Sequence, residues 1–143
     1  MDGTLGQKIV EELALPHAFY IENKVDEEGT IAGFKFDDLY IGLSSCHQVV
    51  IEKQSTTPET NIHFRNAMNY LKTQGIKNAV VYGVATDYCV KDAVNSLLRK
   101  GLEVYVVTDA ITGIDENNSK KTLDDFVAQN TKLVKSADIL RGI

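Results

Sequence analysis

Regular alternation of apolar β-type runs with helix-periodic segments is the feature that most constrains the fold of this chain. The predicted strands are 47–53, 78–83, 103–108 and 132–135. Between them lie segments with apolar residues at helical spacing, and two of these segments end at Gly75 and Gly101. Strands that are apolar on both faces and separated by helices pair in parallel through right-handed crossovers. We therefore predict an open, mainly parallel sheet with helices on both faces, a Rossmann-like three-layer α/β/α arrangement.

The first third of the chain departs from this pattern. Residues 17–36, HAFYIENKVDEEGTIAGFKF, contain two short β-type runs around an acidic turn at 26–29. This arrangement predicts a hairpin insertion near 17–36, at the edge of the sheet, with an elaborated loop as the alternative. The preceding segment, GTLGQKIVEELAL, is predicted to start as a loop and to become a short helix before Pro16.

Composition limits the class of protein and its partners. The chain has 143 residues, of which 43% are hydrophobic, and this fits one domain with a single core. Its net charge of -5 argues against a nucleic-acid partner, because phosphate binding needs clustered Lys and Arg. No apolar run approaches the roughly 18 residues that span a membrane, and the start has no secretory pattern. We expect a cytoplasmic protein.

The two cysteines stand in different contexts. They are too few for a disulfide framework and lack zinc-site spacing, so both are expected to be free thiols. Cys46 has no feature beyond that of a small buried hydrophobe. Cys89, in VVYGVATDYCV, follows an apolar strand that ends at Gly83 and lies in the first turn of the next helix. Ligands of open α/β sheets bind at this edge, and cysteines at helix N-termini ionise readily. Cys89 is therefore a candidate nucleophile.

Lys53 is the candidate partner of this thiol. It ends the predicted strand HQVVIEK, and a parallel sheet would bring it to the same edge as Gly83. There it could hold the thiolate and donate hydrogen bonds to it. A solvated charge at the end of a strand is the alternative.

A long motif around Cys89 resembles a known family. The segment GVATDYCVKDAVNSLLRKGLEVYVVTDA resembles the motif of the isochorismatase-like cysteine hydrolases, particularly their nicotinamidase branch. VVIEKQ is similar to the strand that carries the family's catalytic lysine, and DGTLGQK to its Gly-Thr-x-Gly segment. The resemblance covers nearly the whole chain apart from the predicted hairpin.

The resemblance implies a reaction and roles for several residues. Cys89 would be the nucleophile, and Lys53 the lysine of an Asp-Lys-Cys triad. A cis peptide bond between Val84 and Ala85 would turn the N–H of Ala85 toward the same point as the N–H of Cys89, forming an oxyanion hole. The substrate would be a small-molecule amide, with nicotinamide, hydrolysed to nicotinate and ammonia through a thioester, as the leading candidate. Such a reaction belongs to NAD metabolism.

The family's general base and metal ligands cannot be matched. The base is an Asp on the first strand, and the ligands are an Asp-x-His pair and a further His, all upstream of Gly-Thr-x-Gly. The chain begins at Met1, next to that segment, and Asp2, Asp37, Asp87 and Asp109 stand in other contexts. Of these, the last two are expected to cap turns. We expect one domain, 1–143, incomplete at its N-terminus, with no cofactor of its own; a zinc-like metal would require ligands upstream.

Two other readings remain open. One is a catalytically inactive isochorismatase-like module for binding or oligomerisation, since the Asp base is not matched. The other is a Cys-His hydrolase in which Cys89 works with His47 or with His63, the better placed of the two. The segment QSTTPETN after Lys53 differs from the family's aromatic, Ser-Ala-Phe-like stretch, and this weakens the inference to nicotinamide. A strand missing between those of Lys53 and Cys89 would expose apolar surface, so we expect either further residues of the protein or a partner copy, in a homo-oligomer, to cover it.

Overall fold

The computed structural model describes residues 17–21, 23, 36–45 and 48–142. The chain divides between Glu52 and Lys53 into two compact units.

The first unit contains a parallel pair of strands. Strand β1 (Ala18–Ile21) pairs with strand β2 (Gln48–Ile51), and Ile21 lies opposite Ile51. Helix α1 (Phe36–Ser45) lies between the two strands in the chain. Parallel strands need a crossover of a dozen or more residues, commonly a helix, and this segment contains one. The unit is therefore a β-α-β arrangement, in which the side chain of Ile21 is fully buried.

The segment predicted as a hairpin, 17–36, takes part in this arrangement. Its first arm is β1, whose partner is β2 in parallel. The turn and most of the second arm lie outside the described residues, as does the helix predicted before Pro16, while Phe36 begins α1. The sequence reading did not predict α1. The predicted strand 47–53 is β2, so the four expected strands are divided between two hydrogen-bonded sheets.

The second unit follows the predicted alternation of strands and helices. Its elements are a 3-10 turn (Pro58–Thr60), α2 (Phe64–Thr73), β3 (Asn78–Val84), a π-helical turn (Thr86–Val90), α3 (Lys91–Arg99), β4 (Glu103–Thr112), α4 (Glu116–Ala128), β5 (Lys132–Val134) and α5 (Ser136–Arg141). Strands β3, β4 and β5 form a parallel sheet with β4 in the middle. Val104 to Val107 of β4 are all buried, as expected of a strand covered on both faces. The parallel sheet with helices predicted from the sequence is confirmed.

Local sequence signals account for the helix ends. Gly75 follows α2 with a φ of 84°, and Gly101 follows α3 with a φ of 74°. Glycine adopts this left-handed region without the steric cost that other residues meet, so it commonly ends helices. At the start of α4, the Asp115 carboxylate accepts a hydrogen bond from the Asn118 N–H at 2.7 Å. This N-cap satisfies a backbone donor that the helix itself leaves unpaired.

The core of the second unit gathers side chains from β3, β4, the π-helical turn, α3 and α4. Its buried members are Val81, Val90, Val94, Val104, Val106 and Phe126. Val90 is the last residue of the π-helical turn, so the core fixes the backbone just after Cys89. On β3 the alternate residues Val80, Tyr82 and Val84 are exposed instead. The strand therefore packs one face against the core and leaves apolar side chains on the other.

Candidate functional site

Cys89 lies in the turn between β3 and α3. The sequence predicted the first turn of an α-helix, but the structure has a π-helical turn, Thr86–Val90, directly before α3. The carbonyl of Ala85 accepts hydrogen bonds from the N–H groups of Tyr88 at 3.1 Å and Val90 at 2.9 Å. Single π-helical turns are frequent at functional sites. Anchored in this way, the half-buried Cys89 is a free thiol at the boundary between core and solvent.

Lys53 contacts the sulfur of Cys89. Its Nζ lies 3.5 Å from the Cys89 Sγ and donates a hydrogen bond to it. The same ammonium group donates to the carbonyls of Ser55 at 2.9 Å and Thr56 at 3.3 Å. The structure thus brings together the two side chains that the sequence singled out, although they lie 36 residues apart. A cation in this position favours the thiolate, the nucleophilic form of cysteine.

The backbone around Ala85 has the form that the resemblance implies. The peptide bond between Val84 and Ala85 is cis. The convergence of the N–H groups of Ala85 and Cys89 on one point stays a prediction. Two N–H groups that converge in this way would stabilise a negatively charged oxygen next to the sulfur.

Asp87 ties the π-helical turn to the loop after β4. Its two carboxylate oxygens accept hydrogen bonds from the N–H groups of Ile114 and Asp115, each at 3.0 Å. The N–H of Ile114 is the main cause of a lowered pKa of the Asp87 carboxyl, and that of Asp115 lowers it further. A carboxylate held ionised by two backbone donors is a poor proton acceptor. The predicted turn-capping role of Asp87 is confirmed.

Asp109 has a similar role at the start of α5. Both the N–H and the hydroxyl of Ser136 donate to its carboxylate, each at 2.9 Å. The bond from the Ser136 N–H is the largest cause of a lowered pKa of the Asp109 carboxyl. Asp2 lies outside the described residues, and the side chain of Asp37 does as well. No base is assigned among the described carboxylates.

The histidine alternative rests on His63, since His47 lies outside the described residues, as does Cys46. His63 is buried, with 7% of its surface exposed, and it immediately precedes α2. Burial lowers the pKa of its imidazole, because the charged form loses hydration. The contact described for the Cys89 sulfur is with Lys53. A Cys-His pairing stays a prediction.

Two residues near the site were missed by the sequence reading. The hydroxyl of Thr56 donates a hydrogen bond to the carboxylate of Asp92, which lies in the first turn of α3. The sequence feature that points to Thr56 is the run of hydroxyl residues after Lys53, in QSTTPETN. This run departs from the family pattern, but a contact between residues 36 positions apart cannot be read from one sequence.

The described part of the chain offers no metal site. Within it, no group of three or more His, Cys, Asp or Glu side chains is arranged to hold an ion. These residues therefore do not fit a metal, and no chemical step is assigned to one. The helices of the described ranges also include none that is long and apolar enough to cross a membrane.

Two sequence comparisons find proteins that are similar to this chain. A sequence model of the Isochorismatase domain matches residues 43–138. The nicotinamidase of Acinetobacter baylyi is 32% identical over 92 residues, which are 63% of this chain and 43% of that protein. The chain therefore spans less than half the length of this curated relative.

Solved structures share the fold. The nicotinamidase pyrazinamidase of Acinetobacter baumanii aligns with a TM-score of 0.56 at 27% identity, over 64% of this chain and 49% of that one. The pyrazinamidase of Pyrococcus horikoshii, solved in complex with zinc, aligns with a TM-score of 0.53 at 21% identity, over 82% of this chain and 72% of that one. The predicted open α/β class is confirmed by both likenesses.

Proposed function

Because this chain belongs to the isochorismatase family, we propose that it is a cysteine-dependent amidohydrolase acting on a small-molecule amide. Nicotinamide is the proposed substrate, since the relative from Acinetobacter baylyi is a nicotinamidase. The observation that carries the proposal is the 3.5 Å hydrogen bond from the Lys53 ammonium to the Cys89 sulfur. An exposed lysine in contact with a thiol at the start of a helix is an arrangement suited to a nucleophile.

The proposed reaction has two halves. In the first, the Cys89 thiolate attacks the amide carbonyl carbon, and the carbonyl oxygen gains a negative charge that the N–H groups of Ala85 and Cys89 would stabilise. The carbon–nitrogen bond then breaks, and the nitrogen takes a proton from water and leaves as ammonia. In the second half, water attacks the thioester and releases nicotinate and the thiol. The positive charge of Lys53 stabilises the thiolate before the attack, and it stays beside the sulfur in both halves of the reaction.

Ammonia release from nicotinamide tests this proposal. The 143-residue chain and a product of the same reading frame extended upstream are compared, each beside its Cys89→Ala variant. We expect turnover by the longer product, its loss in the variant, and little activity of the shorter chain, because no described carboxylate is assigned as the base.

The outcomes separate the competing readings. Turnover that survives in Cys89→Ala would refute the nucleophile, and full activity of the shorter chain would refute the need for an upstream Asp. No turnover by either product, with a Cys89 that reacts no faster than a model thiol, would favour the non-catalytic module. Loss of activity in His63→Ala with an intact fold would instead favour the Cys-His reading.

We also propose that the protein works as a homo-oligomer in the cytoplasm. The exposed apolar side chains Val80, Tyr82 and Val84 support the oligomer, because apolar surface is stabilised when a partner removes it from water. A reducing compartment would keep Cys89 as the thiol that the reaction needs. Light scattering on the purified chain measures its mass in solution, and a monomer at all concentrations would contradict the oligomer.

A further inference from the structure

The position of the Lys53 ammonium group depends on its own loop. Besides the Cys89 sulfur, its described acceptors are the carbonyls of Ser55 and Thr56, two and three residues further along the chain. A lysine side chain is long and flexible, and its ammonium group is a compact charge with three donors. The two carbonyls therefore select, from the many positions open to an exposed lysine, the one that reaches the sulfur.

These carbonyls are in turn fixed to the helix that follows the nucleophile. The Thr56 hydroxyl donates to the Asp92 carboxylate, and Asp92 lies three residues after Cys89. A hydrogen bond to a charged acceptor is among the stronger ones that a side chain makes. The contact thus fixes the loop that holds Lys53 to the same short stretch of backbone that carries Cys89.

A second contact joins the segment after Lys53 to the other end of α3, further from Cys89. Glu59 accepts two hydrogen bonds from the guanidinium of Arg99, the last residue of α3, at 2.9 and 3.4 Å. This ion pair attaches the 3-10 turn to α3, and neither Glu59 nor Arg99 is among the described contacts of Lys53. It offers a matched control, because it is also a surface contact between the same segment and the same helix.

We propose that Thr56 and Asp92 are positioning residues for Lys53, because their hydrogen bond places the Ser55 and Thr56 carbonyls that hold the ammonium group beside Cys89. The inference rests on the proposed roles of Lys53 and Cys89. Its test uses the reactivity of the thiol, so that it can fail or succeed independently of any turnover of nicotinamide.

The test is a double-mutant cycle read by alkylation of Cys89. The rate of modification by iodoacetamide at neutral pH is followed at the Cys89 peptide by mass spectrometry. Thr56→Val removes the hydroxyl at nearly constant volume and without a change of charge. We expect it to slow the labelling by about twofold, within the ceiling of about threefold set by loss of the ammonium group itself. Thr56→Ser restores the hydroxyl and is expected to restore the rate.

Asp92→Leu removes both the acceptor of the Thr56 hydroxyl and the negative charge, so the direction of its effect on the labelling rate is informative. By direct electrostatics, removing a negative charge three residues from the sulfur would favour the thiolate and speed the labelling. Loss of positioning slows it instead. We expect slower labelling in Asp92→Leu, and an unchanged rate in the control Glu59→Leu, which removes the acceptor of Arg99.

The cycle is completed in a Lys53→Met background. There, Thr56→Val is expected to have no further effect, because the group that it positions is gone. An unchanged rate in Thr56→Val, or an equal slowing with and without Lys53, would overturn the proposal. Equal labelling rates of Lys53→Met and the unmodified chain would overturn the proposal as well, since the position of Lys53 would then have no effect on Cys89.

Discussion

Replacing Lys53 by Met should slow the alkylation of Cys89 by a calculable factor. At the observed separation of 3.5 Å, a unit positive and a unit negative charge interact by about 1 kcal/mol in the dielectric of water. Lys53 is exposed, so the water limit is the appropriate one. An interaction of that size corresponds to a factor of roughly five to ten, since about 1.4 kcal/mol corresponds to each factor of ten.

The observed labelling rate should fall by less than this factor. A thiolate that is less stabilised is also a stronger nucleophile, and this returns nearly half of the loss on a logarithmic scale. The expected net slowing at neutral pH is therefore about threefold. Methionine is chosen because it keeps much of the length of lysine, so that access to the sulfur changes little.

The assay is iodoacetamide labelling at low ionic strength, read at the Cys89 peptide. Lys53→Arg keeps the positive charge and should label much closer to the unmodified chain. Lys120→Met, on the exposed surface of α4, makes the same change of net charge away from the described contacts of Cys89. It should leave the rate unchanged.

Salt supplies an independent check. At 1 M salt the Debye length is about 3 Å, close to the separation of the two groups, so the difference between Lys53→Met and the unmodified chain should shrink. Equal rates for the two proteins at low salt would refute the electrostatic reasoning. A slowing that Lys120→Met reproduces would refute it too, because net charge would then be the cause.

Three further predictions concern stability. Phe126→Ala should lower the free energy of unfolding by about 3–5 kcal/mol in urea titrations, whereas Val127→Ala, at an exposed neighbour on α4, should change it by at most about 0.5 kcal/mol. Asp87→Asn should speed hydrogen exchange in the loop after β4. The folded state lowers the pKa of the Asp87 carboxyl, so the ionised carboxylate stabilises the fold above the ordinary pKa of 3.8. This stabilisation is lost as the pH falls through the folded-state pKa, and Asp87→Asn should therefore lose less stability in acid than the unmodified chain. Burial lowers the pKa of His63, so the folded state binds fewer protons and the free energy of unfolding should fall as the pH drops below 6.5; His63→Gln should reduce this dependence.

Local signals predicted most of the second unit. Glycines at 75 and 101 end helices because they adopt positive φ, and the apolar run of β4 is a strand buried on both faces. Cys89 was located because the change from strand to helix is visible in the letters around it. The π-helical form of its turn was not, since one extra residue in a turn leaves no distinct pattern of apolar positions.

Pairing between distant segments was beyond the reach of the sequence. The first arm of the expected hairpin, β1, pairs with β2 some 30 residues later, and local alternation cannot name the partner of a strand. The hydrogen bond from Thr56 to Asp92 also joins two segments that are distant in the sequence. Both side chains are ordinary surface residues until the fold brings them together.

The two halves of the proposed site are held by different forces. Thr86 and Val90, on either side of Cys89 in the π-helical turn, are 2% and 4% exposed, so packing fixes the backbone that carries the sulfur. The ammonium group of Lys53 is held by hydrogen bonds on an exposed loop, and such contacts open at much lower cost than a packed core. Changes in residues 53–56 should therefore alter the reactivity of Cys89 with little loss of stability. Changes that reduce the buried side chains of the turn should instead lower the stability together with the reactivity.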